Sequence, residues 1–244
     1  MPPMRIHRAL ARAGIASRRK AEELVAAGRV QIDGRTARIG ESVDPDSHTI
    51  TVDGAPVEPP PDPGFWIVLN KPPGFVTSRR DPQGRRTVFE LIPDRPGLTY
   101  VGRLDYMTEG VLLFTTDGAA AHRLTHPSSE VERTYVATVR GNVKAAVTQA
   151  RRGVELEDGV VRPRDVAARA IGGRRHEFEV TITEGRTHEV RRLCEALGLE
   201  IERLVRTMFG PVKLGTLAQG KTRSLTSRER SVIAAIAASK TSRS

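Results

Sequence analysis

The chain has 244 residues, enough for one or two domains with a proper hydrophobic core, and its 39 Lys and Arg against 29 Asp and Glu give a formal net charge of +10. Its single cysteine, Cys194, excludes an intramolecular disulfide, a cysteine-pair zinc ribbon and a dithiol redox site. The sequence shows neither an apolar signal core nor an apolar run near the ~18 residues of a membrane span. We therefore expect a cytoplasmic protein in a reducing environment, and the charge favours a polyanionic partner such as nucleic acid or an acidic membrane.

The charge is unevenly distributed along the chain. Residues 1–38 contain nine basic and three acidic side chains, whereas residues 39–64 contain six acidic ones and no Lys or Arg. A diffuse solubilising charge would not separate in this way. The pattern therefore favours localised basic surfaces.

Two helices are predicted in the basic N-terminal stretch. Residues 5–13 combine an apolar stripe with a cationic stripe at steps of three and four. Gly14 ends this helix, Ser17 is the predicted N-cap of the next helix, and Gly28 ends that one. The cationic stripe consists of Arg5, Arg8 and Arg12, and the predicted buried positions are Ile6, Ala9, Leu10, Ala13, Ala21, Leu24 and Val25.

Three cations, Arg18, Arg19 and Lys20, occupy the first turn of the second helix, where the positive end of the helix dipole normally favours acidic residues. One interpretation pairs Arg18 with Glu22 and Arg19 with Glu23 along the helix. The other is that a phosphate binds there, because the side chains and the free backbone amides would then share a partner. We favour phosphate binding.

Two short strand signals follow, at residues 29–34 and 49–54, and both end in Asp-Gly turns. The stretch from Glu58 to Gly64 is rich in proline and can extend neither a helix nor a sheet. It is the predicted domain boundary. We assign residues 1–58 to a small α/β domain, residues 59–64 to a linker, residues 65–238 to a larger domain and residues 239–244 to a basic tail.

The larger domain begins with an apolar strand at residues 65–69 and a sharp turn from Lys71 to Gly74. Four arginines within residues 79–86 form a predicted arm that tracks a nucleic-acid backbone. Strands are predicted at 111–114, 134–139, 160–162 and 176–182, and a short helix at 119–124. A second helix is predicted to follow an N-cap at Thr187, with Val190, Leu193, Cys194 and Leu197 on its buried face. A third is predicted to begin at a capping box at Thr226.

A polar loop at residues 102–110 lies between two strand-like segments and has glycines at both ends, which allow tight turns. Such loops are where a scaffold presents chemical groups, and Asp105 is the candidate here. On the loop alone, a turn cap or an ion pair with Arg103 is the simpler interpretation of this aspartate.

Four ordered motifs change that interpretation. They are Asn70 to Gly74, Gly102 to Asp105 with Thr108 to Gly110, Arg133 to Val136, and Glu184 to Arg192. Together they resemble the motifs of the ribosomal-RNA pseudouridine synthases, in the RsuA/RluB-like branch, and the N-terminal helices and strands resemble the small RNA-binding module named after ribosomal protein S-four. The resemblance implies an α+β fold, with a small α/β RNA-binding domain followed by a catalytic domain built on a mixed, mainly antiparallel sheet flanked by helices.

The resemblance also implies the reaction, which is the isomerisation of uridine to pseudouridine in ribosomal RNA with no cofactor and no metal. The bond between the base nitrogen and the sugar breaks, the base rotates, and carbon 5 joins the sugar with loss of its proton. Asp105 would be the catalytic carboxylate, acting on the anomeric carbon, on the base or on a sugar proton. Arg191, with Arg186 as the alternative, would hold Asp105 ionised, and Tyr135 would stack on the base and help to manage the proton at carbon 5.

Further residues are expected to contact RNA. Arg103 would occupy the space left by the flipped base or clamp a phosphate, unless it pairs with an acid of its own loop. Lys71 would contact RNA or be a solvated loop lysine, and Val190 would form an apolar wall for the base or pack in the core. In the N-terminal domain the predicted RNA contacts are Arg5, Arg8, Arg12, Arg18, Arg19 and Lys20.

Two other functions compete with this interpretation. A non-catalytic RNA-binding or ribosome-assembly factor would suit the N-terminal module and the charge equally well. A nucleoside or glycoside hydrolase would use Asp105 and Glu109 as paired carboxylates. We expect a monomer that acts on ribosomal RNA, as free RNA or as an assembly intermediate, with no membrane partner. Residues 77–90 and the residues after Asp105 resemble the large-subunit branch of the family more than the small-subunit branch, which implies large-subunit RNA as the substrate. Glu189 departs from the glutamine that relatives commonly carry there, which leaves the catalytic assignment unchanged.

Overall fold

The computed structural model describes residues 3–58 and 64–238. The predicted linker, apart from Gly64, and the predicted tail at 239–244 lie outside the described residues. The chain divides into two compact units: one runs through Trp66 and also takes Pro93–Thr99 and Thr115–Gly118, while the other holds Ile67–Ile92, Tyr100–Phe114 and the chain from Ala119. Within residues 3–58 and 64–238, no helix is both long enough and apolar enough to cross a membrane.

The N-terminal stretch folds as two helices and short strands around a small core. The predicted buried positions Ile6, Leu10, Ala21 and Val25 are all less than 9% exposed, whereas Ala13 is partly exposed. Both Asp-Gly pairs have positive φ at each residue, as the predicted tight turns require. The elements are β1 (Met4–Arg5), α1 (Ile6–Arg12), α2 (Arg18–Ala26), β2 (Val30–Ile32), β3 (Arg35–Thr36), β4 (Ser42–Val43), β5 (Ile50–Val52) and β6 (Ala55–Pro56), with β3-β2-β5-β6 in one antiparallel sheet and β1 paired with β4.

The first turn of α2 leaves Arg18 and Arg19 exposed to solvent. Ser17 caps the helix as predicted, because its Oγ accepts a hydrogen bond from the Lys20 amide at 3.3 Å. The acids expected to pair with Arg18 and Arg19 have other partners: Glu22 lies 3.3 Å from His7, and Glu23 lies 2.7 Å from Lys20. Arg18 and Arg19 are exposed, and phosphate binding at this turn stays a prediction.

The second part of the chain is built on one large sheet in the order β13-β14-β10-β15-β9-β7-β17, with β16 paired to β15 and β8 to β9. The β9–β15 pairing is parallel, while β10 pairs antiparallel with β14 and β15. Its elements are β7 (Trp66–Lys71), β8 (Thr99–Val101), β9 (Thr108–Thr115), α3 (Gly118–Thr125), β10 (Arg133–Arg140), α4 (Val143–Arg152), β11 (Val154–Leu156), β12 (Gly159–Val161), β13 (Asp165–Gly172), β14 (Arg175–Ile182), α5 (Glu189–Ala196), β15 (Glu200–Phe209), β16 (Val212–Lys213), β17 (Thr222–Ser224) and α6 (Ser227–Ala238), with 3-10 turns at Val88–Leu91 and Pro127–Ser129.

A β-bulge places two polar side chains across from each other in the centre of this sheet. The register between β10 and β15 shifts between Thr134 and Tyr135, so that Thr134 lies opposite Met208 and Tyr135 lies opposite Arg206. Bulges re-aim side chains and are frequent beside active sites. Here the bulge brings Arg206, which shares the buried face of β15 with Leu204, to Tyr135.

The helix predicted from the fourth motif forms, with one correction at its start. The predicted core residues Val190, Leu193 and Cys194 are buried, and burial raises the pKa of the Cys194 thiol to about 12. The predicted Thr187 cap is wrong, since α5 starts one residue later than that cap would place it and its N-cap is His188 in the left-handed conformation (φ 53°). The capping box of α6 is confirmed, because Thr226 and Glu229 exchange hydrogen bonds of 2.8 and 3.2 Å.

Candidate active site

Lys71, in the motif from Asn70 to Gly74, holds the loop that carries Asp105 through hydrogen bonds. Lys71, at the end of β7, is fully buried, and its Nζ donates to the carbonyl oxygens of Pro72, Tyr106 and Thr108 at 3.0, 3.1 and 2.9 Å. The prediction that Lys71 contacts RNA is therefore wrong. Its ammonium group instead fixes the backbone on the C-terminal side of Asp105, a structural use that a lysine in a proline turn does not reveal in sequence.

A hydroxyl fixes the other side of the same loop. Thr77 Oγ1 donates to the Leu104 carbonyl at 2.8 Å and accepts from the Leu104 amide at 3.3 Å. Both backbone polar groups of Leu104, the residue before Asp105, are thus satisfied by one side chain. A loop held on both sides presents its carboxylate in a defined position, which lowers the entropic cost of a reactive geometry.

Lys71 gives the fold a measurable pH dependence. Burial lowers the pKa of Lys71 to about 8 from an ordinary value of 10.5, although Asp105 and Glu109 raise it in part. Below pH 8 the lysine is charged in both the folded and the unfolded chain, whereas between about 8 and 10.5 the unfolded chain holds more protons, so its contribution to stability rises with pH. We expect the urea unfolding midpoint of wild type to rise relative to that of Lys71→Met as the pH increases across this window. Parallel midpoint curves would show that Lys71 keeps its ordinary pKa.

Asp105 has two basic neighbours from the fourth motif. Its carboxylate lies 3.8 Å from Nε of Arg191 and 3.5 Å from Nε2 of His188, and its side chain is 38% exposed. Arg191 also donates from Nη2 to Thr108 Oγ1 at 3.4 Å, which ties it to the strand that follows the loop. The carboxylate is therefore accessible, with its orientation constrained on one side.

The structure places Arg186 elsewhere. It donates to Glu184 at 2.5 Å and to the Gly159 carbonyl at 3.0 Å, and it lies 3.4 Å from an Asp158 oxygen. These contacts join the loop before α5 to the β11–β12 hairpin. Of the two arginines considered for Asp105, the geometry brings Arg191 to the carboxylate.

A small open cleft of about 120 Å³ adjoins Asp105. This volume is below the ~300 Å³ or more of a pocket that encloses a drug-sized ligand, and it suits a group the size of a single ring. Its polar lining is dominated by cations, which suits a group that is or becomes anionic. The lining includes the sequence-predicted residues Arg103, Asp105, Tyr135, Arg186, Val190 and Arg191, together with Arg133, His188, Glu189 and Arg206.

Arg103 and Val190 differ in how they reach the cleft. Arg103 is exposed, and in the part of the chain that the structure describes it forms neither of the ion pairs with Asp105 or Glu109 that sequence left open. Val190 is buried in the core cluster and also lines the cleft. One side chain is thus exposed at the rim, and the other is a buried part of the wall.

Glu109 cannot act as a second carboxylate here. It is buried, and its oxygens accept from Arg203 at 2.9 and 2.7 Å and from Gln219 at 2.8 Å. A carboxylate held by three donors and covered by protein has no access to substrate. This removes the paired-carboxylate arrangement that the hydrolase hypothesis needs.

Glu189 is a second buried acid at the site. Burial raises its pKa, and its carboxylate accepts from the Arg186 amide at 3.1 Å. The acid thereby stabilises the first turn of α5, next to the left-handed His188. Among the described residues, no cluster of three His, Cys, Asp or Glu could hold a metal ion.

Sequence reasoning missed Arg206 and His188. The signal for Arg206 was its position two residues after Leu204, where the alternation of a strand predicts an apolar residue. His188 gave no signal, because a histidine between Thr187 and Glu189 is unremarkable until the backbone conformation is known. Both residues reach the site through contacts with residues that are far away in the sequence.

Comparison with known proteins shows the family of the chain. Residues 65–196 match the family model described as RNA pseudouridylate synthase, and residues 4–47 match the S4 domain. The chain is 42% identical to an uncharacterised RNA pseudouridine synthase of Aquifex aeolicus, with 94% of this chain and 93% of the relative covered. It is 44% identical to ribosomal large subunit pseudouridine synthase B of Vibrio cholerae, with 86% and 67% covered.

A solved structure agrees as well. The crystal structure of a pseudouridylate synthase, 28% identical in sequence, matches with a TM-score of 0.65 over 94% of this chain and 99% of that chain. The predicted family, the S-four-type module and the α+β fold class are thereby confirmed. The chain belongs to the RNA pseudouridine synthase family and is an isomerase that converts uridine to pseudouridine.

Proposed function

We propose that the substrate is a specific uridine of ribosomal RNA, in the 23S RNA of the large subunit, and that Asp105 acts on this base after it has left its stack. The observation that carries the proposal is the accessible Asp105 carboxylate, braced by Lys71 and Thr77 and flanked by Arg191 and His188 at a cleft sized for one ring. The Vibrio cholerae relative, named as a large-subunit enzyme, supports the choice of RNA.

Each group beside Asp105 has a task in this reaction. Arg191 keeps the carboxylate ionised and oriented, so that it can attack the sugar or the ring or remove a sugar proton. Tyr135 stacks on the extruded base, and Val190 supplies the apolar wall beside it. Arg103, exposed and beside Asp105, fills the space that the base leaves or holds the adjacent phosphate.

The N-terminal module supplies affinity for the RNA. The exposed cations Arg8, Arg18 and Arg19 suit phosphate contacts, which position a protein without reading sequence. We assign this role to residues 1–58 and catalysis to residues 65–238, in a cytoplasmic monomer that acts on RNA or on an assembly intermediate. The predicted contacts are Arg5, Arg8, Arg12, Arg18, Arg19 and Lys20.

Tritium release tests the proposal. Unmodified 23S and 16S RNA labelled at carbon 5 of uridine are incubated with wild type and with Asp105→Asn, and RNA binding is measured in parallel on filters. Release from 23S RNA by wild type, with none by the variant and with binding retained, is the expected result. Release from 16S RNA alone would reassign the substrate. Tight binding without release, also from partly assembled subunits, would favour the assembly-factor hypothesis.

Arg191 and Arg186 are expected to respond differently to substitution. Arg191→Met removes the cation beside Asp105 and should lower the rate of tritium release about 100-fold with little change in unfolding midpoint. Arg186→Met removes bonds to a hairpin and should lower stability by about 1–3 kcal/mol with a smaller loss of rate. The assignment is reversed if Arg186→Met abolishes release at unchanged stability while Arg191→Met stays active.

A further inference from the structure

Arg206 is a buried cation in the wall of the cleft. It is 2% exposed, lies in β15 opposite Tyr135, and lines the same cleft as Asp105. Within the described residues no carboxylate forms an ion pair with it, and the nearby ammonium group of Lys71 is a further positive charge. A buried charge is costly unless its donors are satisfied, so the partners of this guanidinium decide what it is for.

Those partners leave one nitrogen of the guanidinium without a hydrogen bond. Nε donates to the Val111 carbonyl at 2.8 Å, Nη1 contacts the Tyr135 hydroxyl at 3.5 Å, and the group lies 5.1 Å from the centre of the Phe209 ring. Nη2 is buried and has no hydrogen-bond partner in the described part of the chain. A donor in this state calls for an explanation, because native folds satisfy nearly all such groups.

Arg133 shows what a structural arginine looks like in the same place. It is also buried, lines the same cleft, and lies 5.2 Å from the same Phe209 ring. Its Nη1 donates to the carbonyls of Thr183 and Glu184 at 2.8 and 2.5 Å, and its Nη2 lies 3.4 Å from the Leu124 carbonyl. Arg133 therefore directs its donors at the protein, whereas Arg206 has one donor that no described residue accepts.

The reaction supplies an acceptor of the right charge. When the bond between the sugar C1′ and the base N1 breaks, its electron pair passes to the uracil ring and is shared with the carbonyl oxygens. Carbon 5 then bonds to C1′ and loses its proton, and N1 gains one, so the net change is an isomerisation. If Asp105 instead adds to the ring, the resulting enolate also carries its charge on a carbonyl oxygen. Negative charge thus reaches the carbonyls by every route open to Asp105.

We propose that Arg206 binds the uracil ring through Nη2 and stabilises the negative charge on its carbonyl oxygens while the base is detached and turned. This inference rests on the proposed function. A preformed donor stabilises developing charge strongly, because no reorganisation is needed when the charge appears. Nη1 meanwhile holds the Tyr135 hydroxyl, which keeps the stacking ring in register with the same base.

The test compares two RNA substrates that differ in how well the ring carries negative charge. One contains uridine at the target position and the other 5-fluorouridine, whose fluorine withdraws electrons and stabilises the ring anion. The fluorinated ring has no C5 proton to release, so after C5 has joined C1′ its N1=C6 double bond remains and takes up water, which gives a hydrated product that keeps the fluorine. The readout for both is therefore the disappearance of the parent nucleoside after nuclease digestion, under single-turnover conditions. Arg206→Gln and Arg206→Lys are compared with Arg169→Gln, an exposed position on β13 that matches the loss of one positive charge.

Arg206→Gln should lower the rate on uridine by about 100- to 1,000-fold, with a loss at least about ten times smaller on 5-fluorouridine. RNA binding should be unchanged, and Arg206→Lys should recover part of the rate. Arg169→Gln should match wild type on both substrates.

An equal loss on both substrates, or no loss, overturns the role of Arg206 while the proposed function stands. Wild type that converts neither substrate overturns both. If the glutamine variant does not fold, Arg206→Lys carries the same comparison, since it retains a buried cation with a shorter reach.

Discussion

Asp105→Asn is expected to abolish isomerisation, with at least a ~1,000-fold loss of rate, equivalent to about 4 kcal/mol of transition-state stabilisation. Asparagine has nearly the same shape but carries no charge, so it can neither attack carbon nor accept a proton. The Asp105 side chain is 38% exposed and its basic neighbours are 3.5 Å or more away. The unfolding free energy should therefore change by less than about 0.5 kcal/mol, as for most surface substitutions.

Two further variants make this result specific. Asp105→Glu keeps the charge but moves it by one methylene, and it should also be nearly inactive if the braced loop fixes the reactive geometry. Asp165→Asn, at the exposed start of β13, should match wild type in rate and binding. If Asp105→Asn keeps more than about a tenth of the wild-type rate, another group is the catalytic carboxylate.

Local patterns predicted much of the fold, because the forces that set those elements are local. Three of these predictions depend on residues that are close together in the sequence: the apolar stripes of α1 and α2, the Ser17 cap and the Thr226–Glu229 capping box. The Asp-Gly turns were equally readable, since few other pairs accept positive φ at both positions. The motifs then identified the family, and with it the large mixed sheet.

The parts that sequence could not show depend on distant contacts. From sequence, Lys71 was either an RNA contact or a solvated loop lysine, but two of its three carbonyl partners lie 35 and 37 residues away. Arg206 meets Val111 and Tyr135 across 95 and 71 residues. The sequence alone could not show which of Arg186 and Arg191 contacts Asp105. The left-handed His188 begins α5 between them and directs one arginine to Asp105 and the other to a hairpin.

Gly110→Ala is expected to disrupt both the sheet and the site. Gly110 has φ 102°, a conformation that residues with a Cβ rarely adopt, and it lies opposite Arg206 in the parallel pairing of β9 with β15. An added Cβ would fall inside contact distance of the Arg206 carbonyl oxygen and 2.9 Å from its backbone nitrogen. Since these atoms belong to a paired strand, β15 must move, and we expect a loss of about 3–5 kcal/mol in unfolding free energy.

Gly172→Ala separates the two causes of that loss. Gly172 has φ 90°, but nothing lies within 4 Å of its added Cβ, so this variant carries backbone strain of about 1–3 kcal/mol without the clash. Urea unfolding of both variants therefore measures the steric part as their difference. Because the clash displaces the strand that seats Arg206, tritium release by the folded fraction of Gly110→Ala should also fall, whereas that of Gly172→Ala should not. Equal stabilities and equal rates for the two variants would mean that β9 and β15 can separate without disturbing the cleft, and that Gly110 is required only for its backbone conformation.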